Sequence, residues 1–142
     1  MADNCIFCKI ANGEIPSATL YEDEEFRVIL DLGPASKGHA LVLPKTHAAD
    51  LFSLPAETAA KAIQVAKKAG EAIKNGLNAD GLNVVQNNGE AAGQTVPHFH
   101  MHLIPRYQGD ESMDRFIWKQ TSPGDEELDG ICDALKQRIS GR

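Results

Sequence analysis

The chain has 142 residues, 42% of them hydrophobic and 24% charged, values typical of one globular domain with a sizeable core. Its formal net charge of −6 argues against duplex nucleic acid or an anionic membrane as the main partner, because both attract basic surfaces. No apolar run approaches the roughly 20 residues of a membrane span, and MADNCIFCKI does not resemble a secretory signal. We therefore expect a single domain over residues 1–142 in the cytoplasm, with no nucleic acid or membrane partner.

Apolar runs and turn-forming residues predict four strands and two helices. Residues 26–32 (FRVILDL) precede the turn-prone GPASKGH, and the next apolar run stops at Pro44, which indicates two paired strands joined by a loop. A long helix follows, with Pro55 in its first turn and Asn75-Gly76 at its end, and we expect it to pack on a sheet face. The predicted strands are residues 26–32, 40–43, 82–86 and 99–104, and the predicted helices are 55–75 and 125–139, the second with an apolar stripe at Leu128, Ile131, Leu135 and Ile139. Strands on both sides of a helix favour an antiparallel α+β domain.

Three histidines alternate in the segment HFHMHLI. On a strand, His98, His100 and His102 share one face about 6 to 7 Å apart, while Phe99 and Met101 face the core. An exposed polar face is the simple explanation, but three of the five histidines of the chain fall on this one face. Imidazole serves as a nucleophile, a proton donor or a phosphate ligand near neutral pH, and it also binds zinc. The pattern therefore indicates phosphate chemistry, metal binding or both.

The three cysteines are too few and too unevenly spaced for a disulfide framework. Cys5 and Cys8 form Cys-x-x-Cys, which in a reducing compartment is typical of metal or redox chemistry. Two small buried residues on either side of a core Phe7 are the structural alternative. A redox pair is disfavoured because no predicted strand precedes it to place it at the start of a helix. We expect Cys132 to pack within the terminal helix.

The segment GQTVPHFHMHLIPR resembles the signature of the histidine triad (HIT) family, in which His-x-His-x-His precedes apolar residues. CIFCKIANGEIPSATLYEDE, LDL and KGHALVLPKTH are similar to further family motifs, so the resemblance spans about residues 4–107. It implies a HIT-like α+β fold, a five-stranded antiparallel sheet with one long helix and a C-terminal helix, in a homodimer. GQTV and IPR favour the dinucleoside polyphosphate hydrolase branch, whereas the cysteines and the chain length favour the bacterial-type phosphoramidase branch.

The resemblance also implies catalytic roles for three histidines. His100 would attack the α-phosphorus of a nucleotide, and water would resolve the nucleotidyl-histidine that forms. His102 would bind the phosphate, and His39 would orient or relay a proton. Such a nucleophile needs one ring nitrogen held by an acceptor, so that the other nitrogen presents its lone pair.

The resemblance further implies a nucleotide-binding set and a metal-binding set. Asp31 resembles the ribose-binding acid. The other nucleotide-binding residues are expected to wall the base pocket, Phe7, Leu32 and Leu41, or to surround the phosphates, Asn87, Gly93, Gln94, Thr95 and His102. The metal-binding set is a closed structural zinc site of two cysteines and two histidines, Cys5, Cys8, His47 and His98.

Together these features predict a hydrolase or transferase that cleaves purine nucleotides at the α-phosphate, acting on adenosine phosphoramidates or dinucleoside polyphosphates. Two alternatives of other classes stay open. One is a nucleotide-binding scaffold protein with structural zinc and little turnover. The other is a zinc-binding module in which the metal takes all the histidines of the triad.

Overall fold

The computed structural model describes residues 4–110 and 118–140. In chain order the elements are helix α1 (Ile6–Ala11), strands β1 (Thr19–Glu22), β2 (Phe26–Leu30) and β3 (Ala40–Pro44), helix α2 (Ala56–Gly76), strand β4 (Gly81–Gln86), a short 3-10 helix (Glu90–Ala92), strand β5 (Met101–Arg106) and helix α3 (Asp125–Ser140). The five strands form one antiparallel sheet in the order β1-β2-β3-β5-β4. The predicted α+β class and five-stranded antiparallel sheet are confirmed.

The sheet separates two apolar layers because side chains alternate along each strand. Ala40 and Val42 of β3 pack with α2 in the larger core cluster, whereas Leu41 and Leu43 pack with α1 in the smaller one. Since Leu41 lies opposite His102 in the pairing of β3 with β5, His102 lies on the α1 side of the sheet. The sheet therefore carries the helix α2 on one face and the histidines on the other.

The loop before β3 passes close to the end of α2. Gly38 has φ of +93°, and a Cβ added there would lie 2.4 Å from Leu77 Cδ1. Only glycine adopts this conformation and also leaves room for the neighbouring side chain. Gly38 therefore fixes the entry of the chain into β3 and the position of the adjacent His39.

Strand β5 differs from its predicted bounds at both ends. It begins at Met101 rather than at residue 99, and it continues through Pro105 to Arg106. Pro105 is tolerated because β3 pairs with β5 only as far as Leu103, so the missing N–H of Pro105 faces a side without a strand. On that side Ser36 Oγ donates a hydrogen bond to the Pro105 carbonyl at 2.5 Å.

Helix α3 is present as predicted, but its apolar stripe does not join the described core. Every residue from 118 to 139 is exposed, including the four residues of the stripe. The expectation that Cys132 packs within this helix is wrong, because Cys132 is exposed. No helix among the described residues is both long enough and apolar enough to cross a bilayer.

Candidate active site and metal centre

The three alternating histidines come together beside α1, although only His102 lies in a regular strand. His98 and His100 belong to the extended segment before β5 and are buried. The ring centroids of His100 and His102 are 5.0 Å apart, and Phe7 packs its ring edge against His100 at 4.9 Å. His98 thus belongs to one side-chain cluster, and His100 and His102 belong to a second cluster beside it.

The backbone fixes the tautomer of His100. Its Nδ1 lies 2.7 Å from the carbonyl oxygen of His98, which can only accept a hydrogen bond. Nδ1 therefore carries the proton, and Nε2 of the neutral ring presents a lone pair. Burial lowers the pKa of His100, which keeps the ring neutral near pH 7. His100 thus meets the physical requirement of a nucleophile.

A second backbone group fixes the tautomers of His39 and His102. The Ala35 N–H donates to His39 Nδ1 at 2.9 Å, so the proton of neutral His39 is on Nε2. His39 Nε2 lies 3.0 Å from His102 Nδ1 and donates to it. His102 therefore carries its own proton on Nε2 and presents a hydrogen-bond donor to an anion. Sequence analysis missed Ala35 because it contributes only its main chain, within the turn GPASKGH.

His102 acts as a neutral donor in this structure. Burial, reinforced by the positive charges that His100 and His39 can carry, lowers its pKa to about 4. Burial likewise lowers the pKa of His39, although Asp31 opposes the effect. Asp31 Oδ2 lies 3.5 Å from His39 Nε2, and Asp31 Oδ1 accepts from the Gly33 N–H at 2.8 Å. Asp31 therefore sits at the end of β2 beside the pair of histidines, as predicted for a residue of the same site.

The four predicted metal-binding residues form a second, adjacent cluster. Their ligand atoms, one each from Cys5, Cys8, His47 and His98, all lie within 4.8 Å of one another. His98 Nε2 donates to the Pro44 carbonyl at 2.9 Å, so His98 Nδ1 presents its lone pair to the cysteines. That nitrogen lies 3.4 Å from Cys5 Sγ and 3.5 Å from Cys8 Sγ, and His47 Nδ1 lies 3.3 Å from Cys8 Sγ.

These separations fit tetrahedral zinc. With Zn–S near 2.3 Å and Zn–N near 2.05 Å, a tetrahedral S···N edge is about 3.6 Å. The S···N distances of 3.3 to 3.5 Å fall just inside that edge. Two sulfurs and two imidazole nitrogens form a complete set with no ligand position left for substrate. The residues therefore fit a structural zinc ion.

Helix α1 brings the two cysteines together. Cys5 is the N-cap of α1, and its Sγ accepts a hydrogen bond from the Cys8 N–H at 3.3 Å. The sequence argument against a redox pair was that no strand precedes it, and in the structure α1 is indeed the first described element, with the pair at its start. The proximity of both sulfurs to the two imidazoles also favours metal binding.

The predicted base-pocket residues occupy different environments. Leu41 is buried opposite His102, and Phe7 packs against His100 on the same side of the sheet. Leu32 is 96% exposed, next to Asp31. Phe7 and Leu41 thus offer an apolar surface beside the histidines, whereas Leu32 projects into solvent.

The loop after β4 holds the predicted phosphate-side residues. Gly93 has φ of +90°, which favours glycine, and an added Cβ there would lie 3.9 Å from Asn87 Nδ2. The Gln94 amide donates to the carbonyls of Ala49 at 2.6 Å and Val96 at 2.9 Å. Its oxygen accepts from the Gly89 N–H at 2.7 Å. In this structure Gln94 therefore braces the loop, and Thr95 is exposed beside it.

A separate groove lies on the other face of the sheet. A space of about 600 Å³ opens between α2 and the strands β1 and β2. It is lined mainly by apolar side chains such as Leu20, Leu30 and Ile73, with Lys37 and Lys68 also present. Because this groove is on the α2 side of the sheet, it is separate from the histidines, and its lining contains no histidine or cysteine.

Known proteins share this sequence pattern and fold. A family model described as "HIT domain" matches residues 12–109. The chain is 42% identical to "Protein hit" of Bacillus subtilis over 142 residues, which cover 98% of this chain and 97% of that protein. It is 38% identical to adenosine 5'-monophosphoramidase hnt1 of Schizosaccharomyces pombe over 136 residues, covering 96% of this chain and 98% of that protein.

Two solved structures extend the comparison. SMU.412c from Streptococcus mutans UA159 superimposes with a TM-score of 0.93 at 38% identity, covering 99% of this chain and 88% of that chain. A zinc-bound histidine triad family protein from Mycobacterium smegmatis superimposes with a TM-score of 0.74 at 40% identity, covering 98% of each chain.

Proposed function

The chain belongs to the HIT family, and from that membership we propose that it hydrolyses nucleotides at the α-phosphate through a covalent intermediate on His100. The general nucleotide hydrolase assignment follows from the family and its monophosphoramidase members. Adenosine phosphoramidates are the proposed substrates, with dinucleoside polyphosphates as the second candidate. The observation that carries the proposal is the Nε2 lone pair of His100 beside the Nε2–H donor of His102.

The proposed reaction has two displacements at phosphorus. His100 Nε2 forms a bond to the α-phosphorus as the bond from phosphorus to the leaving amine or phosphate breaks, and the leaving group takes a proton from solvent. The nucleotidylated ring keeps its Nδ1 proton and is cationic. Water then attacks the same phosphorus as the Nε2–P bond breaks, loses a proton to solvent, releases the nucleoside monophosphate and restores the neutral ring of His100. His102 Nε2–H donates to a non-bridging oxygen in both steps, where charge develops. His39 holds His102 in the donor tautomer.

The remaining site residues are proposed to bind the nucleotide. Asp31 has a carboxylate oxygen facing the histidines and suits a ribose hydroxyl. Phe7 and Leu41 supply the apolar surface for a purine, with Leu32 at its exposed border. The loop of Asn87, Gly93, Gln94 and Thr95 is proposed to lie around the phosphates and the leaving group, its Gln94 serving to hold the loop in shape.

We also propose that Cys5, Cys8, His47 and His98 hold a structural zinc ion. The zinc-bound relative from Mycobacterium smegmatis supports this proposal, and so does the fit of the ligand atoms. When bound, zinc would supply a rigid crosslink between α1 and the segment that carries His100. Metal analysis of the purified protein should give about one zinc per chain, and Cys8→Ser should lose it. Purified wild-type protein with far less than one zinc per chain, or a Cys8→Ser variant that keeps its zinc, would contradict the proposed site.

The decisive experiment compares wild type with His100→Ala on adenosine 5'-phosphoramidate and on diadenosine polyphosphates. We expect kcat/KM to fall by several orders of magnitude, on the order of the 10⁶-fold losses seen when a covalent nucleophile is removed. Acid-sensitive labelling of wild type by α-³²P nucleotide, absent in His100→Ala, would identify the intermediate. An equal rate in the two proteins would refute the proposed enzymatic activity and would favour the nucleotide-binding scaffold.

We further propose that two protomers pair as a homodimer, as the family resemblance implies.

A further inference from the structure

The groove on the α2 side of the sheet follows one stripe of that helix. The stripe runs from Lys68 to Leu77 through residues spaced by one and three positions, which keeps them on one face of α2. At a rise of about 1.5 Å per residue it is about 14 Å long. Leu20 of the edge strand β1 and Leu30 of β2 form the opposite wall. We call this space the α2–β1 groove.

The α2–β1 groove has a buried floor, open space and one closed end. Ala69 and Ile73 at its floor are buried. A Cβ added to Gly76 would meet no atom within 4 Å, so the space beside this residue is open. The far end is closed by close packing, since a Cβ added to Gly38 would lie 2.4 Å from Leu77 Cδ1. The volume of about 600 Å³ falls within the range of about 300 to 1,000 Å³ that small-molecule sites occupy.

The charge of the groove is positive, because two lysines and no acidic residue line it. Lys68 Nζ lies 4.6 Å from the centroid of the Tyr21 ring, and this cation–π contact holds the ammonium group at the wall. The carboxylate of the neighbouring Asp23 is engaged elsewhere, since it accepts hydrogen bonds from the Tyr21 O–H and from two main-chain N–H groups, all at 2.8 Å. Within residues 4–110 and 118–140, neither Lys68 nor Lys37 forms an ion pair. The groove thus joins an apolar surface to a cation without a counter-ion in the described part of the chain.

The two ends of the groove differ in how well they accept an anion. Lys37 precedes Gly38 at the end where α2 stops, and the last carbonyls of a helix carry partial negative charge that disfavours an anion. Lys68 lies about two turns before that end, beyond the last turn in which this effect acts. An anionic group is therefore favoured at Lys68, and an apolar body attached to it would extend over Ile73 towards Leu77.

We propose that the α2–β1 groove binds a free amphipathic carboxylate of the medium-chain fatty acid class, with its carboxylate at Lys68 and its chain along α2. An anionic membrane presents the same chemistry, but it presents many such groups at once, and the net charge of −6 opposes docking on that surface. The groove lies across the sheet from the histidines and contains none of the residues proposed to bind the nucleotide. The proposal is therefore independent of the hydrolase assignment.

The first experiment is isothermal titration calorimetry of the full chain with decanoate. We expect one site per chain, and octanoate, which is two CH₂ groups shorter, should bind about 15-fold more weakly, because each buried CH₂ contributes about fourfold. Lys68→Gln should raise the Kd of decanoate at least fivefold. Lys74→Gln removes the same charge from an exposed lysine on the side of α2 that faces β4, and it should change the Kd less than twofold. Ala72→Trp, which fills the groove from its α2 wall, should raise the Kd at least 20-fold.

Further arms of the experiment distinguish other sites and other occupants. A large excess of AMP should leave the Kd of decanoate unchanged, whereas displacement by AMP would place decanoate on the histidine face and overturn the proposal. No binding of decanoate, as expected if a second copy of the chain covers the groove, would overturn it, and so would equal binding by wild type, Lys68→Gln and Ala72→Trp. Flotation of the protein with phosphatidylglycerol vesicles, without binding of free decanoate, would assign the surface to a membrane instead.

Discussion

Removal of the His39 side chain tests the tautomer relay that prepares His102. In His39→Ala, His102 Nδ1 loses the donor that lies 3.0 Å away. The acceptor nearby is then Asp31, whose carboxylate lies within 4.8 Å of both histidine ligand atoms. That carboxylate favours a proton on His102 Nδ1. His102 Nε2, which we propose donates to the substrate phosphate, would consequently present a lone pair instead of a proton.

The size of the loss follows from two limits. Complete loss of one preorganised donor to a developing oxyanion costs about 10²- to 10³-fold in rate. A buried acceptor left without its donor costs about 1–3 kcal/mol, which corresponds to about 5- to 150-fold. In His39→Ala, His102 can still adopt the tautomer with its proton on Nε2, but Nδ1 then lacks a donor, which costs the 1–3 kcal/mol given above. We therefore expect kcat/KM of His39→Ala to fall about 30- to 100-fold. The fall should remain smaller than that of His102→Ala.

The assay is hydrolysis of adenosine 5'-phosphoramidate by four variants, His39→Ala, His39→Gln, His102→Ala and the double alanine variant. His39→Gln keeps an N–H that can reach His102 and should recover most of the activity. The double variant should be no slower than His102→Ala, because His39 acts only through His102. The relay would be refuted if the loss of kcat/KM in the double variant equalled the product of the two single losses. It would also be refuted if His39→Gln were folded and as slow as His39→Ala.

Three further predictions concern stability. Because burial lowers the pKa of His102 from 6.5 to about 4, the unfolded chain binds a proton that the folded chain does not between these pH values. His102 should therefore contribute about 2 kcal/mol, after allowing for screening, to the fall in the free energy of unfolding that urea titrations measure from pH 7 to pH 4, and His102→Gln should lack this part of the fall. Gly38→Ala should lower the free energy of unfolding by about 2–4 kcal/mol, because φ is +93° and the added Cβ would lie 2.4 Å from Leu77 Cδ1. Gly76→Ala is the control: the added Cβ has open space around it, so the change should be neutral or stabilising by up to about 1 kcal/mol. Phe26→Ala, at a residue 1% exposed, should lose about 3–5 kcal/mol, and a loss under about 1 kcal/mol would contradict its place in the core.

The fold was predictable wherever the sequence carries strong periodicity and clear end signals. Helix α2 begins and ends within one residue of its predicted bounds, because Pro55 and Asn75-Gly76 mark both ends. Strand β1 was missed from the residues because three of its four side chains are exposed and no apolar alternation results. Helix α1 was missed because six residues are too few to display a helical period.

The candidate site was predictable in its residue types and not in its hydrogen bonds. The spacing of the histidines and cysteines, together with the resemblance to the HIT family, pointed to the members of two clusters, and the structure brings the members of each cluster together. What spacing cannot reveal is the main chain, which here selects the tautomers through Ala35 N–H and through the carbonyls of Pro44 and His98. These groups exist at every residue, so only the folded geometry distinguishes the ones that act.

The same main-chain groups join the proposed metal site to the proposed nucleophile through a single residue. The ring of His98 is held by the Pro44 carbonyl on one side and by the two cysteines on the other, and the carbonyl of His98 holds His100. Cys5, Cys8 and His47 would hold a zinc ion together with the His98 ring, and this anchoring would restrict the movement of the His98 carbonyl that accepts from His100 Nδ1. The residues of the metal set would therefore affect the chemistry without touching the substrate, because His98 belongs to that set through its ring and orients His100 through its main chain.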